Sequence, residues 1–512
     1  MPLSVQPESD SESPCAKPGR FASLRQKLHE PPGPEISGHQ PLRHLAVRGG
    51  AYLVGREAIG MFIRLAGVVA TVRLIGPHDY GIYAAAAAFT LVVTTVAQMG
   101  AEIFLIKMPE TPSRERYDQV FTFLICTSVI ATAVAIGATF ALGGLLRPIG
   151  VVVPLQILLL SVPINVLWAP AQARIERDFG YRKMGILEVG GDLALYGTAV
   201  PLAFLGAGAW SLIAGYFAWQ TWLLVGSYAL SGLRPRLRWS SGTARELTRY
   251  GCSFSMTSWI QRLSGLVNPL VVGGFFGAVG VGYVAFAQRL VDTISFANRG
   301  AYRIGLVAMS RVPVAHKDRI ERALEEGSVL QLVALGVPLA AFGVIAPKVI
   351  PFLFGTQWDA SIRLYSLLAL ASLLGASGLI QTTFLLSRGR NGTVAWTAAI
   401  GGVVLAASSI PLVWRFGIEG FGYATLLALV DLVFLDYKVR QHAAISYRRY
   451  LPLAAIMAPL VAFPLVPFPI RLVMFVPAIV FLIVPTTRRQ GMAQVKVVRA
   501  ALSRRTMEGA PA

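Results

Sequence analysis

Apolar runs of about twenty residues or more, separated by short polar or glycine-rich breaks, recur along most of the chain. An α-helix rises 1.5 Å per residue, so about 20 apolar residues cross a hydrocarbon core of roughly 30 Å. Backbone amides in lipid have no water to bond, so each run must close its hydrogen bonds internally, as a helix does. Alternating strands of about ten residues, the mark of an outer-membrane barrel, do not occur. The pattern predicts an all-α integral membrane protein of about fourteen transmembrane helices: 48–74, 81–106, 118–146, 150–171, 184–206, 209–231, 250–275, 282–310, 326–351, 360–387, 392–414, 418–437, 451–467 and 470–485.

One stretch of this pattern occurs twice. Shifted by 201 residues without a gap, Arg48 to Phe89 falls on Arg249 to Leu290. Arg48, Gly50, Ile59, Leu65, Gly76, Gly81, Ala84 and Ala86 then meet Arg249, Gly251, Ile260, Leu266, Gly277, Gly282, Ala285 and Ala287. The constant offset and the coinciding corner glycines carry more weight than the apolar matches, which a restricted alphabet produces by chance. The repeat predicts two six-helix bundles, 48–231 and 250–437, related by a pseudo-two-fold axis along the membrane normal. A linker, 232–249, joins them, and helices 13 and 14 (451–485) stand outside the repeat. A Pro-, Ser- and charge-rich stretch, 1–47, reads as a disordered cytoplasmic tail, and 486–512 as a basic one.

Composition agrees with a membrane protein: 54% of residues are hydrophobic and 14% charged, against ~25% charged in soluble proteins. The formal net charge of +20 does not imply nucleic-acid binding, because the basic residues sit in short loops between apolar runs and not on a soluble module. Their distribution predicts orientation. Loops holding Lys107, Arg177, Arg236, Arg319, Arg388, Arg440 and Arg489 fall on one side, and only Arg147, Lys348, Arg415 and Arg471 on the other. Roughly thirty cations against about four put both termini in the cytoplasm. The opposite loops are too short to hold an extracytoplasmic domain. Cys15, Cys126 and Cys252 have no metal-ligand spacing.

Several stretches carry a family resemblance. Val72-Arg-Leu-Ile-Gly-Pro-His-Asp-Tyr-Gly-Ile-Tyr-Ala, Gly280-Val-Gly-Tyr-Val-Ala-Phe-Ala-Gln-Arg-Leu and Pro170-Ala-Gln-Ala-Arg-Ile-Glu-Arg-Asp-Phe-Gly-Tyr-Arg-Lys closely resemble the polysaccharide transporter (oligosaccharide flippase) family of the multidrug/oligosaccharidyl-lipid/polysaccharide exporter superfamily. Leu353-Phe-Gly-Thr-Gln-Trp-Asp-Ala and Gly417-Ile-Glu-Gly-Phe-Gly-Tyr-Ala are similar to it too. The resemblance covers about residues 45–440. It implies a bacterial inner-membrane transporter that moves a polyprenyl-diphosphate-linked oligosaccharide outward for exopolysaccharide or lipopolysaccharide assembly. Its partners would be membrane lipids and a polysaccharide polymerase or export complex, with no nucleic acid. The family has no catalytic signature to carry over, and no enzymatic step, cofactor or metal is expected.

Candidate substrate residues therefore come from charges at membrane depth, which cost ~3 kcal/mol or more each and usually face a cavity or a partner. On helix 1, Arg56, Glu57 and Arg64 fall within an arc of about 100° that includes Gly60 and Gly67. On helix 8, Arg289, Asp292, Arg299 and Arg303 fall within about 80°. Helices 1, 7 and 8 are expected to meet between the bundles, with Arg262 adding a cation from helix 7. Arg56, Arg64, Arg289 and Arg299 are the candidates for binding diphosphate, which the planar guanidinium fork matches bidentately. The bland alternative pairs them with Glu57 and Asp292 or extends them to an interface. Glu57, Glu188, Asp192 and Asp292 are candidates for H⁺ or Na⁺ coupling, as are Glu102 and Asp431, with Asp192 and Glu188 favoured because they share a face without a basic neighbour on their own helix. The rival functions are a cation-coupled multidrug exporter, a polymerase or glycosyltransferase, which would need a large outer loop or a nucleotide-sugar domain, and a non-transporting scaffold.

Overall fold

A computed structural model describes residues 42–108, 110–178, 180–295 and 317–477. Arg299 and Arg303, the tail 1–41 and the chain after 477 lie outside the described residues, as do the side chains of Arg56 and Glu57. Among the described residues the protein is helical throughout. The principal helices are α1 (Leu42–Gln98), α2 (Ala101–Lys107), α3 (Arg114–Ala141), α4 (Val152–Leu159), α5 (Ser161–Leu167), α6 (Ala169–Arg177), α7 (Tyr181–Phe204) and α8 (Ala209–Ser231). After these come α9 (Ser241–Ser264), α10 (Gly273–Ile294), α11 (Lys317–Phe354), α12 (Ala360–Leu374), α13 (Ala376–Ser387), α14 (Asn391–Phe416), α15 (Glu419–Ala428), α16 (Val430–Arg440) and α17 (Tyr450–Val461).

Among the described residues, eight helical segments are long and apolar enough to cross a membrane, or nine if the pair α12 and α13, bent by 42°, is one span. The protein is a multi-pass membrane protein. Two of these segments, Gly60–Gln98 and Ser255–Ile294, run to 39 and 40 residues. Either would extend about 60 Å if straight, roughly twice the hydrocarbon core. Neither is straight. Gly76 (φ 79°, ψ 172°) breaks the first and Gly277 (φ 60°, ψ −158°) the second. Only glycine tolerates these angles readily. The loops expected at 76–80 and 277–281 thus shrink to single non-helical residues; at the first, Pro77 suits the first turn of a new helix and lets it restart at once.

The two corners touch each other reciprocally. A Cβ built on Gly81 would overlap the carbonyl oxygen of Ala278, and one on Gly282 that of Pro77. These four positions form two pairs at the 201-residue offset, Pro77 with Ala278 and Gly81 with Gly282. Backbone therefore meets backbone, which no larger side chain permits.

Side-chain contacts fix how the helices run. Gly60 meets Val189, Arg64 meets Asp192 and Gly67 meets Tyr196, so the first limb of α1 and α7 advance in step and are parallel. Gly190 meets Trp222 and Gly226 meets Leu187, so α7 and α8 are antiparallel. Trp259 of α9 donates to the Thr95 carbonyl at 3.2 Å, and Gly251 packs on Met99, so α9 runs antiparallel to the second limb of α1. Buried apolar side chains collect in two large clusters. One surrounds Leu105, Leu124 and Leu158; the other surrounds Phe286, Trp358 and Tyr365.

Three elements differ from expectation. The helix expected over 81–106 stops at Gln98, where Met99 (φ 46°) and Gly100 (φ 65°) turn the chain before α2. The linker expected over 232–249 ends at Ser240, whose hydroxyl caps α9 by accepting from the Thr243 amide. Residues 241–249 are too polar to enter an apolar run, yet they form a helix because Thr243 and Leu247 are buried and Arg116 of α3 pairs with Glu246. The helix expected over 470–485 begins as a 3₁₀ segment, Phe468–Phe475, with its remainder outside the described residues.

Candidate functional site

A cavity of about 400 Å³ opens between α1, α10 and α11. Its charged wall is Arg64 from α1 with Arg289 and Asp292 from α10; Val68, Phe342 and Phe354 are among its apolar walls. Arg64 and Arg289 lie 225 positions apart in the chain, and the fold brings both to one space. The partner wall is α11, where helix 7 was expected: Arg262, on α9, is exposed and does not line this cavity.

The guanidinium groups are held in place. Arg64 Nε lies 3.3 Å from Asp192 Oδ2 and 3.2 Å from the Gly60 carbonyl. The Tyr196 hydroxyl lies beside Arg289. Because Asp192 and Tyr196 are one turn apart on α7, a single helix face orients both arginines. Arg289 is nevertheless solvent-accessible, since its surface faces the cavity and not the protein interior. Asp292 accepts from Gln288 Nε2 at 3.1 Å. A guanidinium that lines a cavity while a neighbour fixes its orientation suits an anionic ligand with several oxygens.

The acidic candidates part company here. Asp192, read as lacking a basic neighbour on its own helix, takes Arg64 from α1. Glu188, one turn before it, is exposed and does not line the cavity, whereas Asp292 does. Glu102 lies beyond the span that ends at Gln98 and shares the Gln172 amide with Glu176, at 2.9 Å to each carboxylate. Burial, and then the charge of Glu176, push the Glu102 carboxyl up to about 7. Tyr196 and Gln288 are the residues that sequence reasoning missed. The only available signal was their spacing, four after Asp192 and four before Asp292.

The cavity is closed at the corner end. Arg73 donates to the carbonyls of Phe352 and Leu353 at 3.1 and 3.3 Å, and Gln357 returns a hydrogen bond to the Arg73 carbonyl at 3.1 Å. Beside this latch Phe286 packs against Trp358 and Phe354, with ring centroids 4.3 and 4.8 Å apart, and Tyr80 meets Trp358 edge-on at 5.6 Å. Arg73 thus serves as a clasp between α1 and α11 and not as part of the cavity wall.

Comparison with known proteins agrees with this architecture. The model of the "Polysaccharide biosynthesis protein" family matches residues 70–363. The chain is 25% identical over 337 residues to the succinoglycan biosynthesis transport protein ExoT of Rhizobium meliloti (strain 1021), covering 65% of this chain and 67% of that protein. Its fold is similar to that of the lipid II flippase MurJ in an inward closed conformation, with a TM-score of 0.64 at 13% identity, covering 88% of this chain and 99% of the other. It is also similar to an inward-facing multidrug resistance transporter of the MOP superfamily, with a TM-score of 0.55 at 14% identity over 76% of this chain and 97% of that one.

Proposed function

Since the chain belongs to the polysaccharide biosynthesis protein family and has the fold of the MOP superfamily, we propose that it is a flippase. Its cargo is a polyprenyl-diphosphate-linked oligosaccharide, carried across the bacterial inner membrane for surface polysaccharide synthesis. The observation that carries this reading is the convergence of Arg64 and Arg289 on one cavity whose remaining walls, Asp292 and Thr293 apart, are apolar. Two guanidinium forks in a low-dielectric cleft suit a diphosphate, and aliphatic and aromatic walls suit the start of a polyprenyl chain. The names of ExoT and MurJ, a transport protein for polysaccharide biosynthesis and a lipid flippase, favour the same cargo class.

Transport proceeds by alternating access. The full arrangement is fourteen helices: two six-helix bundles and a further pair, with both termini in the cytoplasm. The reciprocal contact of Gly81 with Ala278 and Gly282 with Pro77 supports a pseudo-two-fold axis at the corners. On this orientation the Arg73 clasp and the rings around Trp358 close the outer end, and the bundles rock apart there as they close inside. Arg56 and Arg299 are carried as further diphosphate candidates on their sequence positions alone. Asp192 couples the cycle, because H⁺ or Na⁺ at its carboxylate competes with Arg64 and frees that guanidinium for diphosphate. Glu57, Glu188 and Asp292 are subsidiary candidates for the same role. No bond is made or broken.

The test is the distribution of lipid-linked oligosaccharide in cells carrying Arg289→Ala at normal expression. Accumulation in the inner leaflet with loss of surface polysaccharide is expected. Normal export would make Arg289 structural and leave the flippase reading to the Arg56 limb of α1.

A further inference from the structure

A second cavity, of about 450 Å³, lies among α9 to α16, with no arginine among its described lining residues. Seven of these helices, α9 to α15, each contribute one uncharged polar side chain to it, Gln261, Gln288, Gln331, Thr382, Thr397 and Thr425 among them, and α16 contributes Asp431, its one carboxylate among the described residues. Gln331 carries most weight. It is 1% exposed, lines this cavity, and neither its amide oxygen nor its nitrogen has a hydrogen-bond partner among the described residues. A buried amide with both ends unpaired is costly, so it is kept for a ligand that both donates and accepts. Thr397 and Thr425 donate to the Val394 and Phe421 carbonyls of their own helices, so their lone pairs are left to accept.

We infer that this amide-lined cavity binds the neutral sugar residues of the lipid-linked oligosaccharide, next to the cationic cavity that takes its diphosphate; the inference rests on the flippase reading above. Sugar hydroxyls donate and accept in the same way as the amides and threonines that face them, and a carboxylate such as Asp431 can accept from two neighbouring hydroxyls at once. A bare metal ion fits less well. It needs about six oxygens at ~2.4 Å, and no group of three His, Cys, Asp or Glu side chains is assembled to hold one among the described residues. The cavities adjoin through α10: Gln288 lines the neutral one, Arg289 and Asp292 the charged one, and Gln288 donates to Asp292. A phosphate at Arg289 therefore leaves its glycosidic oxygen near Gln288, with the first sugar beyond it.

The experiment measures binding by the purified full chain in nanodiscs. The probes are the producing cell's extracted lipid-linked oligosaccharide and the same polyprenyl diphosphate with its sugars removed. The wild type should bind the glycosylated lipid more tightly. Gln331→Leu and Thr425→Val should each weaken that lipid about tenfold and leave the sugar-free lipid unchanged, which narrows the preference. Should Gln331→Leu fail to fold, Thr425→Val reads the same quantity. An undiminished preference in folded variants overturns the sugar site and leaves the flippase standing. Wild-type protein that binds neither lipid overturns the flippase itself. A defect that appears only when Na⁺ is varied, and equally for both lipids, overturns the inference by making the cavity a cation site.

Discussion

The two cavities on either side of α10 were read from the same chain by very different means. The charged one is announced by arginines in apolar runs, each so costly in lipid that it demands a reason. The neutral one is built from single glutamines and threonines spread over many helices, none unusual in its own segment. Charge is legible one helix at a time. Neutral polarity becomes legible only when packing converges it, and the unpaired amide of Gln331 is invisible until its neighbours are known.

The largest effect should come from breaking the frame that both cavities share. Gly81→Val and Gly282→Val place a branched side chain against backbone carbonyl oxygens, which no rotamer change relieves. Each should cost more than ~3 kcal/mol and nearly abolish recovery of monodisperse protein on size exclusion. Gly137→Ala, where an added Cβ meets nothing within 4 Å, should leave recovery intact. Equal recovery for all three would remove the corner contact as an organising element.

Next in size is the arginine that separates the cavities chemically. Arg289→Ala should weaken binding of sugar-free polyprenyl diphosphate by ~30-fold or more, since a charge-assisted bond to a multiply charged ligand contributes about 2–3 kcal/mol. Arg289→Lys should recover part of the affinity but not the bidentate geometry. Because sugar contacts remain, the preference for the glycosylated lipid should survive in Arg289→Ala, the reverse of what Gln331→Leu produces.

A smaller effect is expected for Arg64, which is already engaged by Asp192. Arg64→Ala and Asp192→Asn should each cost about 1 kcal/mol of stability, less than a fully buried pair because Arg64 is 36% exposed. Their transport phenotypes should differ: Arg64→Ala slows export, whereas Asp192→Asn leaves export independent of the coupling cation. A double mutant whose thermal shift equals the sum of the single shifts would show that the pair is not coupled.

How much of this was legible follows the same division. The helical periods, the corner glycines and the charged faces of α1 and α10 could all be read from residue spacing. The start of α9 could not, because residues 241–249 are polar and owe their helix to Arg116 and to burial of Thr243 and Leu247. Nor could the partner of Asp192, since a helix wheel shows only neighbours on the same helix and Arg64 comes from α1. The third wall was misassigned for the same reason. Helix 7 was expected from symmetry alone, and α11 fills the place through Phe342 and Phe354.

The smallest expected effect lies outside both cavities and tests whether pH acts on the frame or on the ligand. Glu102 sits past the end of its span, half-buried, with its carboxyl raised from 4.5 to about 7 by burial and by Glu176. A carboxyl whose folded pKa is raised contributes stability that is fully present below its unfolded pKa. That contribution fades as pH climbs from about 4.5 and is gone above about 7, where Glu102 ionises beside Glu176 in the folded protein. The melting temperature in detergent should fall by a few degrees between pH 5.5 and 8, and Glu102→Gln should flatten that slope. Gln172, which donates to both carboxylates, keeps its acceptors in the variant, so the loss of slope reports on charge and not on a broken hydrogen bond. The ratio of affinities for the glycosylated and sugar-free lipids should stay constant across the same range in both proteins. A ratio that moved with Glu102 would mean that α2 and the cavities on α10 form one coupled unit, and the separation of charge from neutral recognition would have to be redrawn.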